Sequence, residues 1–291
     1  MRIGFIGQGW IGKHYADDFV ARSFDVVRYS LDQQYLHNRD AIATCDIVFI
    51  AVPTPTTPDG FNVNSVRDAL PLLGKGSIAV IKSTISPGTT EALQHEFPHI
   101  YVLHSPEFLV ESTAAHNASH PDRNIIGIPS NTPEYTEKAK LVLSVLPRAS
   151  YETIMFSRDA EFVKYAGNCF LYTKVIYMNL LYDLVERMGG DWAHVKEAFT
   201  NDPRIGTSHA EPIHKSGRGA GGNCFIKDFE AFRNMYDKFT SDETGSDILK
   251  ALAYKNIQLL TDSDKDLNLL NGVYGDLNKY RAWKSLHDTM L

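Results

Sequence analysis

Cysteine is scarce in this chain. Cys45, Cys169 and Cys224 are its three, widely spaced and with no CxxC pair. That spacing argues against a disulfide framework and against a structural zinc site, so no metal is expected. It fits a reducing cytoplasm, where a single thiol stays reactive. No window approaches the roughly 18 to 20 apolar residues that a membrane span needs, and no membrane partner is expected. There is no run of basic residues and the net charge is -6, which excludes the phosphate-backbone affinity of a nucleic-acid binder. The first residues, MRIGFIGQGW, have a short apolar stretch and then enter glycines, unlike a secretory signal. Internal repeats and low-complexity stretches are missing too.

What remains has the makeup of a globular protein. Hydrophobic residues are 43% and charged residues 22% of 291 positions, enough for two ordinary domains. In the first half, short β-rich runs at 2–6, 25–29, 46–52, 78–81, 101–104 and 124–128 alternate with helical or polar segments such as 11–21 and 64–73. Buried strands alternating with helices predict an α/β fold that opens with a Rossmann-type doubly wound parallel sheet. The proline-rich stretch 53–58 follows one strand and should form a rigid loop at its carboxyl end, the edge where such sheets bind ligands. The second half reads as all-helical. Its centre is a long helix over 160–188, apolar on more than one face and stopped by Gly189-Gly190. Shorter helices are expected at 193–200, 225–236 and 246–260. With the boundary near residue 155, the domains are 1–155 and 156–291. The apolar faces of the long helix need a cover, either the other domain or a second subunit, and a homodimer built on this helix is the expectation.

Gly7-Gln8-Gly9-Trp10-Ile11-Gly12 is a GxGxxG pattern that directly follows a strand and opens a helix, the context that a dinucleotide-binding loop requires. The first glycine permits the tight turn, the second lets backbone approach the pyrophosphate, and the third lets helix pack on strand. The pyrophosphate would sit on the helix amides. Residues 1–155 thus read as an NAD(P)-binding domain. Ser30 marks the tip of the second strand. Asp32, two residues on, reads either as the ribose ligand or as a solvated loop charge. With Arg28 nearby, NADP stays open beside NAD.

Gly219-Ala220-Gly221-Gly222-Asn223-Cys224 puts a cysteine after glycines and at the start of a helix. Glycines admit a substrate close to the backbone, and a helix N-terminus favours thiolate, the nucleophilic form. Asp228 lies one turn on and faces the same side as Cys224.

These segments together resemble the UDP-glucose/GDP-mannose dehydrogenase family. GFIGQGWIG is similar to its cofactor loop, and AVPTPTTPDG to its proline loop, with Thr54 near the cofactor. IKST, ending at Thr84, and SPEFLVES are similar to its water-handling and substrate loops. AEFVKYAGNCFLYTKV, NDPRIGTSH and GAGGNCFIKD come after these in the family's order. The resemblance implies NAD-dependent oxidation of a nucleotide-sugar primary alcohol to a carboxylate, by two hydride transfers. Cys224 would trap the intermediate aldehyde and carry a thioester for water to cleave. Lys164 and Asn168, four apart on a helix, would stabilise the oxyanion. Thr84 and Glu111 would hold and activate water, with Asp228 assisting near the thiol. Glu107, Phe108, Leu109, Arg204 and Gly221 would contact the sugar substrate, and Lys227 the cofactor. The segment 156–291 would be the substrate and dimerisation domain.

The match is not complete. The family carries a third domain, and this chain resembles a short form lacking it. Ile226 replaces the family's proline, and the loop 212–219 is longer. Two further readings stay open: a two-electron β-hydroxyacid-type dehydrogenase, for which Cys224 would be a bystander, and a catalytically inactive NAD-binding subunit.

Overall fold

Runs such as RIGFI and IVFI are buried on both faces, as strands covered by helices require. The structure, a computed structural model, describes residues 1–277. Positions 278–291 of the expected helical domain lie outside the described residues. Along the chain, β1 (Arg2–Ile6), α1 (Trp10–Ala21), β2 (Asp25–Tyr29) and β3 (Ile47–Ile50) lead to a small hairpin, β4 (Thr56–Thr57) and β5 (Gly60–Phe61). Then come α2 (Asn64–Ala69), β6 (Ile78–Ile81), α3 (Thr89–Glu96), β7 (Tyr101–His104), α4 (Ala114–Ser119), β8 (Arg123–Ile128), α5 (Pro133–Val145) and β9 (Tyr151–Phe156). The later part holds α6 (Ser157–Arg187), α7 (Trp192–Thr200), the hairpin β10 (Ile213–His214) and β11 (Gly217–Arg218), α8 (Gly222–Phe239), α9 (Glu243–Asp262) and α10 (Leu267–Tyr274).

Two compact units divide the chain. One takes Met1–Thr54 and Asn62–Lys164, the other Pro55–Phe61 and the residues from Tyr165 on. Helix α6 therefore gives its first two turns to the first unit. In that unit the strand order is β2-β1-β3-β6-β7-β8-β9. From β2 to β7 every pairing is parallel. Helices cover the sheet around Ile3, Phe5, Phe19, Phe49, Val80 and Ile126.

Two features of the sheet differ from the expected all-parallel one. Strand β8 runs antiparallel to β7. The connection between them, residues 105–122, holds only the short turn Glu111–Thr113 and six-residue α4, yet it is long enough for a parallel crossover, so its length does not decide the reversal. Strand β9 is a seventh strand, parallel to β8. Its sequence, YETIMF, is interrupted by Glu152 and Thr153, which hid it from the apolar pattern.

The second unit is helical apart from its two small hairpins. Tyr172 stacks on Phe229 with ring centroids 3.9 Å apart, within a core of Tyr165, Cys169, Ile176, Ala231 and Ala253. Ile226, where the family has proline, is buried with Ile257, Leu260 and Leu270. Helix α6 has 31 residues and begins three positions before the expected 160. Beyond its end, Gly189 adopts a left-handed φ of 74°, which a glycine takes at no steric cost. Helix α10 was not expected, because the tail is polar and weakly patterned; packing on Ile226 and Leu260 buries its apolar side. Among the described residues no helix is long and apolar enough to cross a membrane.

Candidate active site

The glycine loop after β1 shows two different uses of glycine. Gly7 has φ +91°, and a Cβ there would lie 2.2 Å from the carbonyl oxygen of Ala51; at Gly12 it would lie 1.9 Å from that of Gly7. Both are glycine for the protein's own packing. A Cβ on Gly9 would meet nothing within 4 Å. Gly9 is also the N-cap of α1 and provides no side-chain cap to the helix amides. Beside it Gln8 is buried; its Nε2 donates to the carbonyl of Gly7 at 3.2 Å, and its Oε1 has no partner. Open space over bare helix amides fits a dinucleotide's pyrophosphate. Trp10 is exposed and Ile11 half-buried. At the tip of β2, buried Ser30 donates its hydroxyl to Asp32 at 2.8 Å. Arg28 is engaged by Asp17 at 2.7 Å.

At the carboxyl ends of β6 and β7 the first unit buries a polar cluster. Lys164 Nζ donates to the carbonyl of Glu107 at 2.7 Å and lies 3.5 Å from its carboxylate. The Glu107 carboxylate accepts the Leu109 amide, and the guanidinium of Arg123 lies 3.7 Å from the ring centroid of Phe108. Thr54 donates its hydroxyl to the carbonyl of Thr84 at 2.7 Å. Glu111 opens the 3-10 turn Glu111–Thr113.

The same cluster holds residues to which the sequence motifs assign no role. Lys82 donates to Ser105 Oγ at 3.1 Å and sits 4.5 Å from the ring centroid of Tyr15. Burial pulls its ammonium down to about 8, Lys164 adding to the effect and Glu107 opposing it. Burial likewise lowers His104 to about 3, with Lys82 contributing; that imidazole is neutral. A lysine closing the apolar run IAVIK was the available signal.

The second unit brings Asn168, Lys227 and Asp228 together. The buried Asp228 carboxylate accepts Asn168 Nδ2 at 2.6 Å and pairs with Lys227 Nζ at 2.5 Å. The carbonyl of Lys227 accepts the Thr56 hydroxyl at 3.1 Å. Cys224 is exposed in the first turn of α8, while Cys45 and Cys169 are buried. Gly221 lies under Asp266, where a Cβ would come within 2.1 Å of its carboxylate. Arg204, expected to contact the sugar, is exposed and chelates Asp202, two residues earlier.

Comparison with known proteins agrees with this organisation. Residues 33–142 match the NAD binding domain of the UDP-glucose/GDP-mannose dehydrogenase family, and residues 158–256 match its central domain. The UDP-glucose 6-dehydrogenase YwqF of Bacillus subtilis is 34% identical over 251 residues, 80% of this chain and 54% of that protein. A UDP-glucose 6-dehydrogenase of Pseudomonas aeruginosa is 33% identical over 232 residues, 75% of this chain and 49% of its own length. The chain thus spans about half the length of these relatives. The structure of a UDP-glucose dehydrogenase from Pyrobaculum islandicum superposes with a TM-score of 0.76 at 27% identity, over 88% of this chain and 68% of that one. A Mycobacterium tuberculosis 3-hydroxyisobutyrate dehydrogenase shares the fold at 15% identity and a TM-score of 0.68. By both matched domains and by its fold, the chain belongs to the UDP-glucose/GDP-mannose dehydrogenase family.

Proposed function

We propose that this chain oxidises the primary alcohol of a nucleotide sugar, UDP-glucose or a close relative, to the carboxylate, with NAD and with Cys224 as covalent nucleophile. The observation that carries the reading is an exposed thiol in the first turn of α8, behind a glycine loop, in a chain of this family. Bound NAD would accept the two hydrides, one molecule for each. Gly7, Gln8, Gly9, Trp10, Ile11 and Gly12 would hold its pyrophosphate end, with Ser30, Asp32, Thr54 and Lys227 as further contacts. The tie of Asp32 to Ser30 supports the ribose role.

In the first step the alcohol loses a proton and a hydride to become an aldehyde. Cys224 then adds through sulfur to the aldehyde carbon, and the oxyanion faces Lys164 and Asn168, one turn apart on α6. Loss of the second hydride leaves a thioester. Water, held by Thr84 and Glu111, cleaves it and returns the thiol. Asp228, fixed by Asn168 and Lys227, would move the proton near the thiol. Glu107, Phe108, Leu109, Arg204 and Gly221 would contact the sugar; for Arg204 this requires leaving Asp202.

A homodimer belongs to the same reading. Phe170, Tyr177, Leu180 and Leu184 are exposed and fall in one stripe of α6 at helical spacing, with Phe170 68% accessible; Met188, one residue past the end of α6, is 78% accessible. The domain roles are the sheet unit for cofactor and the helical unit for substrate and dimerisation, with the cytoplasm as location. The test is to incubate the protein with UDP-glucose and NAD and count NADH per sugar consumed. Two per sugar, with UDP-glucuronate as product, supports the proposal; one, or none, sinks it.

A further inference from the structure

The loop that leads to Cys224 is gripped by side chains that the proposed chemistry does not use. Its backbone turns through left-handed conformations at Gly219 (φ +88°) and Gly222 (φ +80°), so its polar groups need partners from elsewhere. They find them on α9 and the turn after it. Buried Asn256 pairs reciprocally with Ala220: Oδ1 accepts the amide at 2.7 Å and Nδ2 donates to the carbonyl at 3.0 Å. Ser263 Oγ accepts the amide of Arg218 at 3.0 Å. Lys265 donates to the carbonyls of Gly219 at 3.0 Å and Gly217 at 3.4 Å. The carboxylate of Asp266 accepts the amide of Gly222 at 2.7 Å. Gly222 is the first residue of α8, and its N-cap, Gly221, has no side chain to do this. Asp266 thus caps α8 from 44 residues away.

Two of these residues are costly in themselves. Lys265 buries an ammonium, and Asp266 is a non-glycine residue at φ +54°. Both costs fall on the one loop that ends, two residues past Gly222, at Cys224.

We infer that Asn256, Lys265 and Asp266 are positioning residues for Cys224, clamping the loop 217–222 so that the first turn of α8 presents the thiol in one place. This rests on the reading of Cys224 as nucleophile, but its test needs neither substrate nor cofactor. In the full chain, amide exchange of the segment 217–222 and the iodoacetamide rate at Cys224 are measured together. Mass mapping of buried Cys45 and Cys169 serves as the control for unfolding. Asp266→Ala should speed exchange of the segment about tenfold or more, the loss expected for one hydrogen bond to a charged group. It should also change the Cys224 rate at least about threefold. Asp266→Asn, which still offers an acceptor to Gly222, should stay within about twofold of the native protein in both. If Asp266→Ala exposes Cys45 and Cys169, Lys265→Met is read in its place with the same thresholds. Unchanged exchange overturns the inference. So does faster exchange with an unaltered Cys224 rate, which would make the clamp merely structural, and so does failure of Asp266→Asn to restore. If Cys224→Ser leaves turnover intact, it is the nucleophile reading that fails, and the clamp measurement stands apart from it.

Discussion

Glu161, buried in the first turns of α6, accepts both the amide and the hydroxyl of Thr90, at 2.8 Å and 2.5 Å. It also takes the amide of Gly88 at 2.5 Å, and so caps α3 from the neighbouring helix. Burial pushes its carboxyl up to about 7 from a usual 4.5, against the pull of the Thr90 and Gly88 donors. A raised acid contributes stability that is complete below the unfolded value and lost as pH rises through the folded one. Thermal stability should therefore decline between about pH 4.5 and 7, by at most about 1.4 kcal/mol per pH unit from this group. Glu161→Gln should flatten that part of the Tm profile. An equally steep profile in the variant would show that Glu161 is not its source.

The three glycines of the cofactor loop should separate. Gly9→Ala meets no atom of the chain and has an ordinary φ of −69°, so it should keep the native Tm while weakening NAD binding, and Gly9→Val should abolish it. Gly12→Ala, with its Cβ 1.9 Å from a carbonyl oxygen, should lose stability by several kcal/mol, about the range of severe overpacking. Calorimetry of folding beside NAD titration checks both. Full NAD affinity in Gly9→Val would contradict the assignment of the loop.

Cys224→Ser should leave the first hydride transfer possible and slow aldehyde capture and the second hydride transfer by several orders of magnitude, because serine is a far weaker nucleophile at neutral pH. Lys164→Ala should slow both hydride steps, by on the order of 10²-fold or more, as for other lost oxyanion donors. Single-turnover NADH traces distinguish the two. A Cys224→Ser variant with native progress curves would favour a two-electron dehydrogenase of the β-hydroxyacid type.

Charges on the exposed stripe of α6 should break the proposed dimer. Phe170→Glu together with Leu184→Glu should halve the mass seen by light scattering at micromolar concentration, with far-ultraviolet circular dichroism unchanged, since neither side chain is in the core. A native protein that already scatters as a monomer would remove the basis for the proposed interface.

Local pattern determined a good deal of this protein from its sequence alone. The strand–GxGxxG–helix opening, the alternation of strands and helices, the long helix ended by Gly189 and the glycine-framed Cys224 all depend on residues within a few positions of one another. Turn chemistry and periodicity act over that range. Tertiary structure decided the rest. Glu161 meets Gly88 across 73 positions, Asp266 caps α8 from beyond α9, and Lys82 becomes a buried lysine only where β6 and β7 end beside Glu107. The antiparallel β8 and the interrupted strand β9 are of the same kind. Each depends on which distant backbone or charge the fold places opposite a polar side chain, and a polar residue looks the same in a sequence whether water or a buried partner satisfies it.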